Sequence, residues 1–171
     1  MSARIPGRGP VVGAILAGGL VAFACSGRRW RVGDGSADPV TGALRTAAID
    51  GTQVAPAVRA CALAIVAGAI AVLIVGGRAR SVVASAVALV GLGAVAGSVV
   101  AALSAPSGLH STAWPWLAAA SGLFAAVGAT VAAIRGPGWT SSRSDRYDSP
   151  AAPARDDDAW AALDRGEDPT A

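Results

Sequence analysis

Side chains able to do acid, base, nucleophilic or metal chemistry are sparse and scattered in this chain. His110 is the only histidine, and no carboxylate or cysteine lies near it in the sequence. Cys25 and Cys61 are the only cysteines, and they have neither a C-x-x-C nor a histidine-paired spacing. No phosphate-binding loop is present either. The sequence therefore predicts no metal site, no cofactor and no enzymatic activity.

The two cysteines lie within apolar segments, where a free cysteine usually behaves as a small buried hydrophobe. We expect both to be inert helix residues. A disulfide between Cys25 and Cys61 is the alternative, because both fall in the same half of the bilayer under the topology derived below.

Residues suited to binding a partner protein are concentrated near the C-terminus, far beyond the last apolar run. Acidic residues at 156–158 followed by Gly166 are the start and stop signals of a short helix over 156–166. A helix of about two turns is unstable alone in water, so we expect it to fold on a cytosolic protein. The alternative is a disordered tail or one that folds back onto lipid headgroups. The partner-binding candidates are Trp160, Leu163, Asp164, Gly166, Asp168 and Pro169.

Membrane-spanning helices must position these residues. The chain of 171 residues is 53% apolar and 15% charged, which exceeds what a soluble core of that size requires. A helix needs about 20 residues to cross the hydrocarbon layer. The sequence predicts an all-α integral membrane protein with four transmembrane helices and a mostly disordered cytoplasmic C-terminal tail. The predicted spans are about 9–27, 57–77, 81–103 and 113–134.

These spans define a membrane domain of residues 1–135 and a cytoplasmic tail of residues 136–171. The polar segment from Arg28 to Pro56 is expected to be a loop with little regular structure. The N-terminus also fits a cleavable signal peptide ending near Ala24, which would leave three spans. Lipidation at Cys25 is disfavoured, because Ala22 and Phe23 match poorly the residues that precede a lipidated cysteine.

The arginines that flank the spans predict the orientation. Seven would lie on the cytoplasmic side and five outside if the N-terminus is cytoplasmic. The first group is Arg4, Arg8, Arg78, Arg80, Arg135, Arg143 and Arg146, and the second is Arg28, Arg29, Arg31, Arg45 and Arg59. We therefore expect a multi-pass protein of the plasma membrane with both termini in the cytoplasm. Because the arginines are scattered at span ends rather than gathered in a stripe, no nucleic-acid partner is predicted.

Aromatic residues cluster near the predicted span ends, where amphipathic rings prefer the headgroup level. The predicted interface anchors are Trp30, Trp114, Trp116, Trp139 and Tyr147. Trp114 and Trp116 could alternatively line an outward-facing aromatic site. Gly93 and Gly97 form a G-x-x-x-G motif on the third span, which favours close helix packing within the chain and is also compatible with a homo-oligomer.

The tail segment Trp160-Ala-Ala-Leu163-Asp164-Arg-Gly166-Glu-Asp168-Pro169-Thr170 resembles the C-terminal signature of the actinobacterial tryptophan-associated transmembrane protein family. Trp114-Pro115-Trp116, Trp139 and Arg146-Tyr147 resemble that family's pattern in the same order. The resemblance implies a four-span protein encoded beside tryptophan biosynthesis genes. It implies no catalytic residues, because the family has no assigned biochemical activity.

Two functions remain as hypotheses. The first is a membrane adaptor or regulator linked to tryptophan biosynthesis, anchored in the lipid bilayer and docking a cytosolic partner through Trp160 and Leu163. The second is a small permease or transporter subunit for tryptophan, indole or a related aromatic compound. The predicted spans lack Asp, Glu, Lys and His, which ion-coupled transport usually requires, so the first hypothesis is favoured.

Overall fold

The long apolar segments form helices, because a backbone surrounded by lipid must satisfy its hydrogen bonds internally. The computed structural model describes residues 7–42 and 44–139. Four of its helices are long and apolar enough to cross a membrane. They are α1 (Arg8–Ser26), α3 (Pro56–Ile74), α4 (Gly77–Leu103) and α5 (Trp114–Arg135). The expected helical membrane protein with four transmembrane helices is therefore confirmed.

The four helices form a bundle in which each packs against two neighbours, in the ring order α1, α3, α4, α5. A turn of two residues joins α3 to α4, and the positive φ of 57° at Gly77 allows this tight reversal. At about 1.5 Å per residue, the 27 residues of α4 extend to about 40 Å. This exceeds the roughly 30 Å of hydrocarbon, so α4 reaches beyond the apolar layer.

Small residues hold the helices close together. A Cβ atom added to Gly18 of α1 would lie 2.7 Å from the carbonyl oxygen of Ser121 on α5. One added to Gly91 of α4 would lie 3.0 Å from the Cβ of Ala126. In lipid, van der Waals packing of this kind replaces the hydrophobic effect as the main force between helices. The bundle interior is therefore filled mainly by alanine, glycine and aliphatic side chains.

The segment between α1 and α3 contains regular structure, so the expected irregular loop from Arg28 to Pro56 was wrong. Strands β1 (Arg29–Gly33), β2 (Ser36–Ala37), β3 (Leu44–Arg45) and β4 (Ala48–Asp50) are followed by the short helix α2 (Gly51–Val54). A fifth strand, β5 (Leu109–Ser111), precedes α5. These strands are too short for a recognisable sequence pattern, and they form only because the chain brings them together.

The strands form two antiparallel sheets at one end of the bundle. The larger sheet has the order β4-β1-β5, with Val32 opposite Ala48 on one side and opposite His110 on the other. The smaller one pairs β2 with β3. We call the larger sheet and α2 the β-cap, and the end of the bundle that carries it the β-cap rim. The opposite end, where α5 continues into the 3-10 turn Gly136–Gly138, is called the tail rim.

Candidate functional site at the rims of the bundle

At the β-cap rim, Trp30 is completely buried, with 0% of its surface exposed. Its indole packs with Cys25, Val58 and Ala118, and its Nε1–H donates a 2.8 Å hydrogen bond to the Cys25 carbonyl at the end of α1. Any side chain at Gly51 would overlap the indole ring. The prediction that Trp30 anchors the protein in the headgroups was therefore wrong, because pairing of β1 with both neighbouring strands places this side chain inside the β-cap.

Two polar side chains tie the β-cap to the helices beneath it. Arg31 donates hydrogen bonds to the carbonyls of Ala101 at 3.2 Å and Ser104 at 3.1 Å, at the C-terminal end of α4. Thr112 donates through Oγ1 to the Arg29 carbonyl at 2.8 Å. Carbonyls in the last turn of a helix have no partner within that helix, so Arg31 supplies one. These contacts fix β1 relative to the end of α4 and the start of α5.

Trp114 and Trp116 lie at the start of α5 and are exposed, by 36% and 50% respectively. The guanidinium carbon of Arg28 lies 5.3 Å from the centre of the Trp114 ring, which is a cation–π contact. Arg28, Arg29 and Asp50 line a polar recess together with Trp114. Trp114 also lines an apolar recess with Trp116 and Leu117. The structure thus brings exposed charges next to aromatic side chains that lie on a span.

His110 gains a carboxylate partner that its sequence neighbourhood lacks. Its Nε2 lies 3.5 Å from Oδ1 of Asp34, and both side chains are mostly exposed. Within residues 7–42 and 44–139, no group of three or more histidine, cysteine, aspartate or glutamate side chains is placed to hold a metal ion. Cys25 and Cys61 are free thiols in this structure. The His110–Asp34 pair is therefore an exposed ion pair of the β-cap rim whenever the imidazole is protonated.

At the tail rim, Arg80 is buried, with only 1% of its surface exposed. Its Nε donates to the Val75 carbonyl at 2.9 Å, and its Nη1 donates to the carbonyls of Gly136 at 2.8 Å and Trp139 at 3.2 Å. The guanidinium also lies 5.8 Å from the centre of the Trp139 ring. Val75 and Gly136 follow the C-terminal ends of α3 and α5, where the helix dipoles carry partial negative charge. These carbonyls stabilise the positive charge of Arg80, which pairs with no carboxylate among the described residues.

Other side chains complete the tail rim. Ser81 donates through Oγ to the Ala133 carbonyl at 2.6 Å, which adds a second link between α4 and the end of α5. Arg8 of α1 donates to the Leu73 carbonyl near the end of α3. A Cβ added to Gly136 would lie 2.9 Å from Cδ of Arg80, so a larger residue would displace that side chain. Contacts with buried Arg80 thus fix the position of residues 136–139, which directly follow α5.

The two glycines of the G-x-x-x-G motif lie on α4 where it faces α3. A Cβ added to Gly97 would lie 3.0 Å from Cγ2 of Val58, whereas one added to exposed Gly93 would meet only Sγ of Cys61, at 3.9 Å. Tighter glycine contacts occur elsewhere, at Gly18 and Gly68. The motif therefore lies where α4 packs against α3, but the closest helix contacts are at glycines outside the motif.

The remaining predicted site residues lie outside the described part of the chain. These are Tyr147 and all six partner-binding candidates, Trp160, Leu163, Asp164, Gly166, Asp168 and Pro169, together with the short helix expected over 156–166. The sequence interpretation overlooked two arrangements that the structure does describe. It treated Arg80 only as a topology signal, and it did not connect Asp50 with Arg28 and Arg29 because the intervening segment has no recognisable strand pattern.

Comparison with known proteins identifies one related group. The family model of the tryptophan-associated transmembrane protein matches residues 12–170 of the chain. No curated protein and no solved structure matches it. The matched range includes most of α1, the whole of α3, α4 and α5, the β-cap and nearly all of the C-terminal segment.

Proposed function

Because the chain belongs to the tryptophan-associated transmembrane protein family, we propose that it is a membrane adaptor or regulator in tryptophan metabolism. Its C-terminal tail docks a cytosolic protein, with Trp160 and Leu163 as anchors. The observation that carries this proposal is the extent of the family match, which continues through residue 170. The last long helix ends at Arg135, so no membrane span accounts for an aromatic and an aliphatic residue this far along the chain.

The composition of the described bundle is consistent with an anchor. Its large buried side chains are apolar, apart from Trp30 and Arg80 at the rims, and the glycine contacts leave little space between helices. Ion-coupled transport usually uses charged groups within the spans, and among the described residues the buried charged side chain, Arg80, lies at the tail rim. The proposal assigns no catalytic step to the protein.

The tail rim supports the proposal in a second way. Arg80 donates hydrogen bonds to the carbonyls of Gly136 and Trp139, so the residues just after α5 are held at the tail rim. The distribution of flanking arginines favours a cytoplasmic tail and a plasma-membrane location, and both form part of the proposal.

Crosslinking from native membranes tests this function. We expect a photo-crosslinker at position 161 to capture a cytosolic protein, and Trp160→Ala combined with Leu163→Ala to abolish the capture. Ala162→Ser, a change off the proposed binding face, serves as the matched control and should preserve it. Unchanged capture and unchanged tryptophan-dependent growth after deletion of residues 156–171, in a protein that still inserts, would exclude docking through the tail.

A second candidate function is a permease subunit for tryptophan, indole or a related aromatic compound. The observation that favours it is the exposure of Trp114 and Trp116 beside Arg28 at one end of the bundle. Uptake of labelled tryptophan into proteoliposomes separates the two functions. A permease should lose uptake on Trp116→Ala and keep it without residues 156–171, whereas an adaptor should show no specific uptake and should require the tail.

A further inference from the structure

Two adjoining recesses at the β-cap rim share the ring of Trp114. The first has a volume of about 480 Å³ and is lined by Gly27, Arg28, Arg29, Asp50 and Trp114. The second has a volume of about 440 Å³ and is lined by Ala113, Trp114, Trp116, Leu117 and Ala120. We call them the polar recess and the apolar recess. A single ligand that crosses the Trp114 ring would occupy both.

The charges in the polar recess are unpaired. Arg29 and Asp50 lie directly opposite each other in the β1–β4 register, where side chains on one face come close. The ion pair among the described residues nevertheless joins His110 to Asp34, and Arg28, Arg29 and Asp50 have no ion-pair partner there within 4.0 Å. The recess therefore presents two cations and one anion that can each accept an oppositely charged group of a ligand.

Asp50 also lacks the hydrogen bond expected from its place in the chain. It occupies the N-cap position of α2, where an aspartate commonly accepts a hydrogen bond from a backbone N–H of the first turn. Its carboxylate makes no such bond. A carboxylate that is used neither for capping nor for an ion pair is available to an ammonium group.

The apolar recess extends the candidate site from the β-cap onto the membrane-spanning helix α5. Trp116 and Leu117 are about half exposed on the first turns of α5, which is one of the four long apolar helices. A polar recess with both signs of charge thus adjoins an apolar one on a lipid-facing helix. Phospholipids with an amine headgroup have matching groups in the same order, because their charged ammonium and phosphate groups lie above apolar acyl chains.

We propose that the two recesses together bind one phospholipid with a primary ammonium headgroup, of the phosphatidylethanolamine class. Arg28 and Arg29 bind the phosphate, because guanidinium groups offer planar, charge-assisted hydrogen bonds to phosphate oxygens. Asp50 accepts hydrogen bonds from the ammonium, and the first acyl carbons lie over Trp114, Trp116 and Leu117. Because the site is shallow and exposed, it requires a ligand at high local concentration, and a bilayer lipid meets that condition.

This inference goes beyond the adaptor function and does not depend on it. It concerns the β-cap rim, whereas the adaptor proposal concerns the tail. Loss of lipid selectivity would therefore leave capture of a cytosolic protein intact, and loss of capture would leave lipid selectivity intact.

Lipid retention on the full-length protein provides the test. The protein is reconstituted in nanodiscs with equal amounts of phosphatidylethanolamine, phosphatidylglycerol and phosphatidylcholine of matched chains, then transferred to detergent, and the bound lipids are counted by native mass spectrometry. We expect phosphatidylethanolamine to be retained about fivefold over phosphatidylcholine, since both have the phosphate and only the former has N–H donors. Equal retention of all three would overturn the proposal.

Two variants separate the roles of the charges. Asp50→Asn should remove the preference for phosphatidylethanolamine over phosphatidylcholine while total retention stays within about twofold. Arg28→Gln combined with Arg29→Gln should lower retention of all three lipids about fivefold or more. Arg78→Gln, an exposed arginine at the tail rim, is the matched control and should change neither quantity. An equal loss in this control would assign the effect to surface charge in general and would overturn the proposal.

Folding and an alternative occupant are checked in the same samples. Far-ultraviolet circular dichroism reports whether each variant is folded, and the conservative Asp50→Asn change decides the outcome if the double arginine variant does not fold. Free tryptophan has an ammonium group for Asp50, a carboxylate for the arginines and an aromatic ring for the apolar recess. It is therefore added as a competitor at millimolar concentration. Displacement of phosphatidylethanolamine by tryptophan, with equal loss of tryptophan binding in Asp50→Asn, would replace the lipid with an amino acid.

Discussion

The two rims of the bundle use the same residue type, arginine, in opposite ways. At the tail rim, Arg80 is buried and its three hydrogen bonds end on backbone carbonyls near helix ends. At the β-cap rim, Arg28 and Arg29 are exposed and face a recess with an unpaired carboxylate. Buried Arg80 holds the fold at the tail rim, whereas Arg28 and Arg29 at the β-cap rim make no ion pair among the described residues and are available to bind. A span-flanking arginine therefore has consequences well beyond topology.

The largest expected effect concerns Trp30, which forms the centre of the β-cap. Trp30→Ala should lower the free energy of unfolding by about 3–5 kcal/mol, because it leaves a large cavity and removes the hydrogen bond from the indole to the Cys25 carbonyl. Chemical unfolding in mixed micelles, followed by the signal of the remaining tryptophans, measures this loss. Trp116→Ala is the control and should cost under about 1 kcal/mol, since that ring is half exposed. Equal losses would mean that the β-cap has no core of its own.

Arg80→Gln tests the structural role of the tail rim. We expect a loss of about 2–3 kcal/mol, because charge-assisted hydrogen bonds to three carbonyls disappear or weaken. The measurement is the thermal midpoint in detergent, together with the rate of proteolysis just after Trp139. Arg78→Gln serves as the comparison, since Arg78 is exposed two residues earlier on α4. If both variants melt alike and resist protease alike, Arg80 does not hold the start of the tail.

The middle of the bundle should respond to added volume rather than to lost charge. Gly18→Ala should destabilise the protein by about 1–3 kcal/mol, because the new Cβ would meet the Ser121 carbonyl oxygen and Ala125 at under 3 Å. Gly13→Ala on the same helix meets no atom within 4 Å and should be neutral or slightly stabilising. Thermal unfolding of the two variants in the same detergent makes the comparison. A neutral Gly18→Ala would show that α1 and α5 are more loosely packed than this structure indicates.

The smallest effect is expected for the exposed arginines of the β-cap rim. Arg29→Gln should change the free energy of unfolding by no more than about 0.5 kcal/mol, because its side chain makes no stabilising contact among the described residues. Arg31→Gln should cost about 1 kcal/mol, since Arg31 donates to the carbonyls of Ala101 and Ser104. A loss at Arg29 as large as that at Arg31 would erase the distinction between binding and structural arginines within this rim.

The helices were predictable from the sequence because their signal is local. Each long apolar run must form a helix in lipid wherever it lies, and the charged residues at its ends limit its length. The first span was expected over 9–27 and the helix is Arg8–Ser26, and the fourth was expected over 113–134 and the helix is Trp114–Arg135. Val32 pairs with His110, so the segment before α5 lies beside the segment after α1, as an up-and-down order of four helices requires.

The β-cap was not predictable, because its signal is not local. Strands of two to five residues show almost no alternation, and β1 pairs with a strand that follows the whole of α4. The same limit applies to individual residues. Trp30 and Trp116 both lie within a few residues of a span end, yet one is buried and the other half exposed. The difference depends on which strands and helices surround each ring.

The sequence by itself determined that the chain is a four-helix membrane protein, and its tail motif pointed to the family that the comparison confirms. Hydrophobic length and a short linear motif suffice for both conclusions. Only the tertiary structure decided which arginines are buried, which tryptophan forms a core and which charges face one another. Burial and pairing depend on distances between segments far apart in the chain, as with Arg80 and Gly136 or Arg29 and Asp50, and a sequence pattern does not contain those distances.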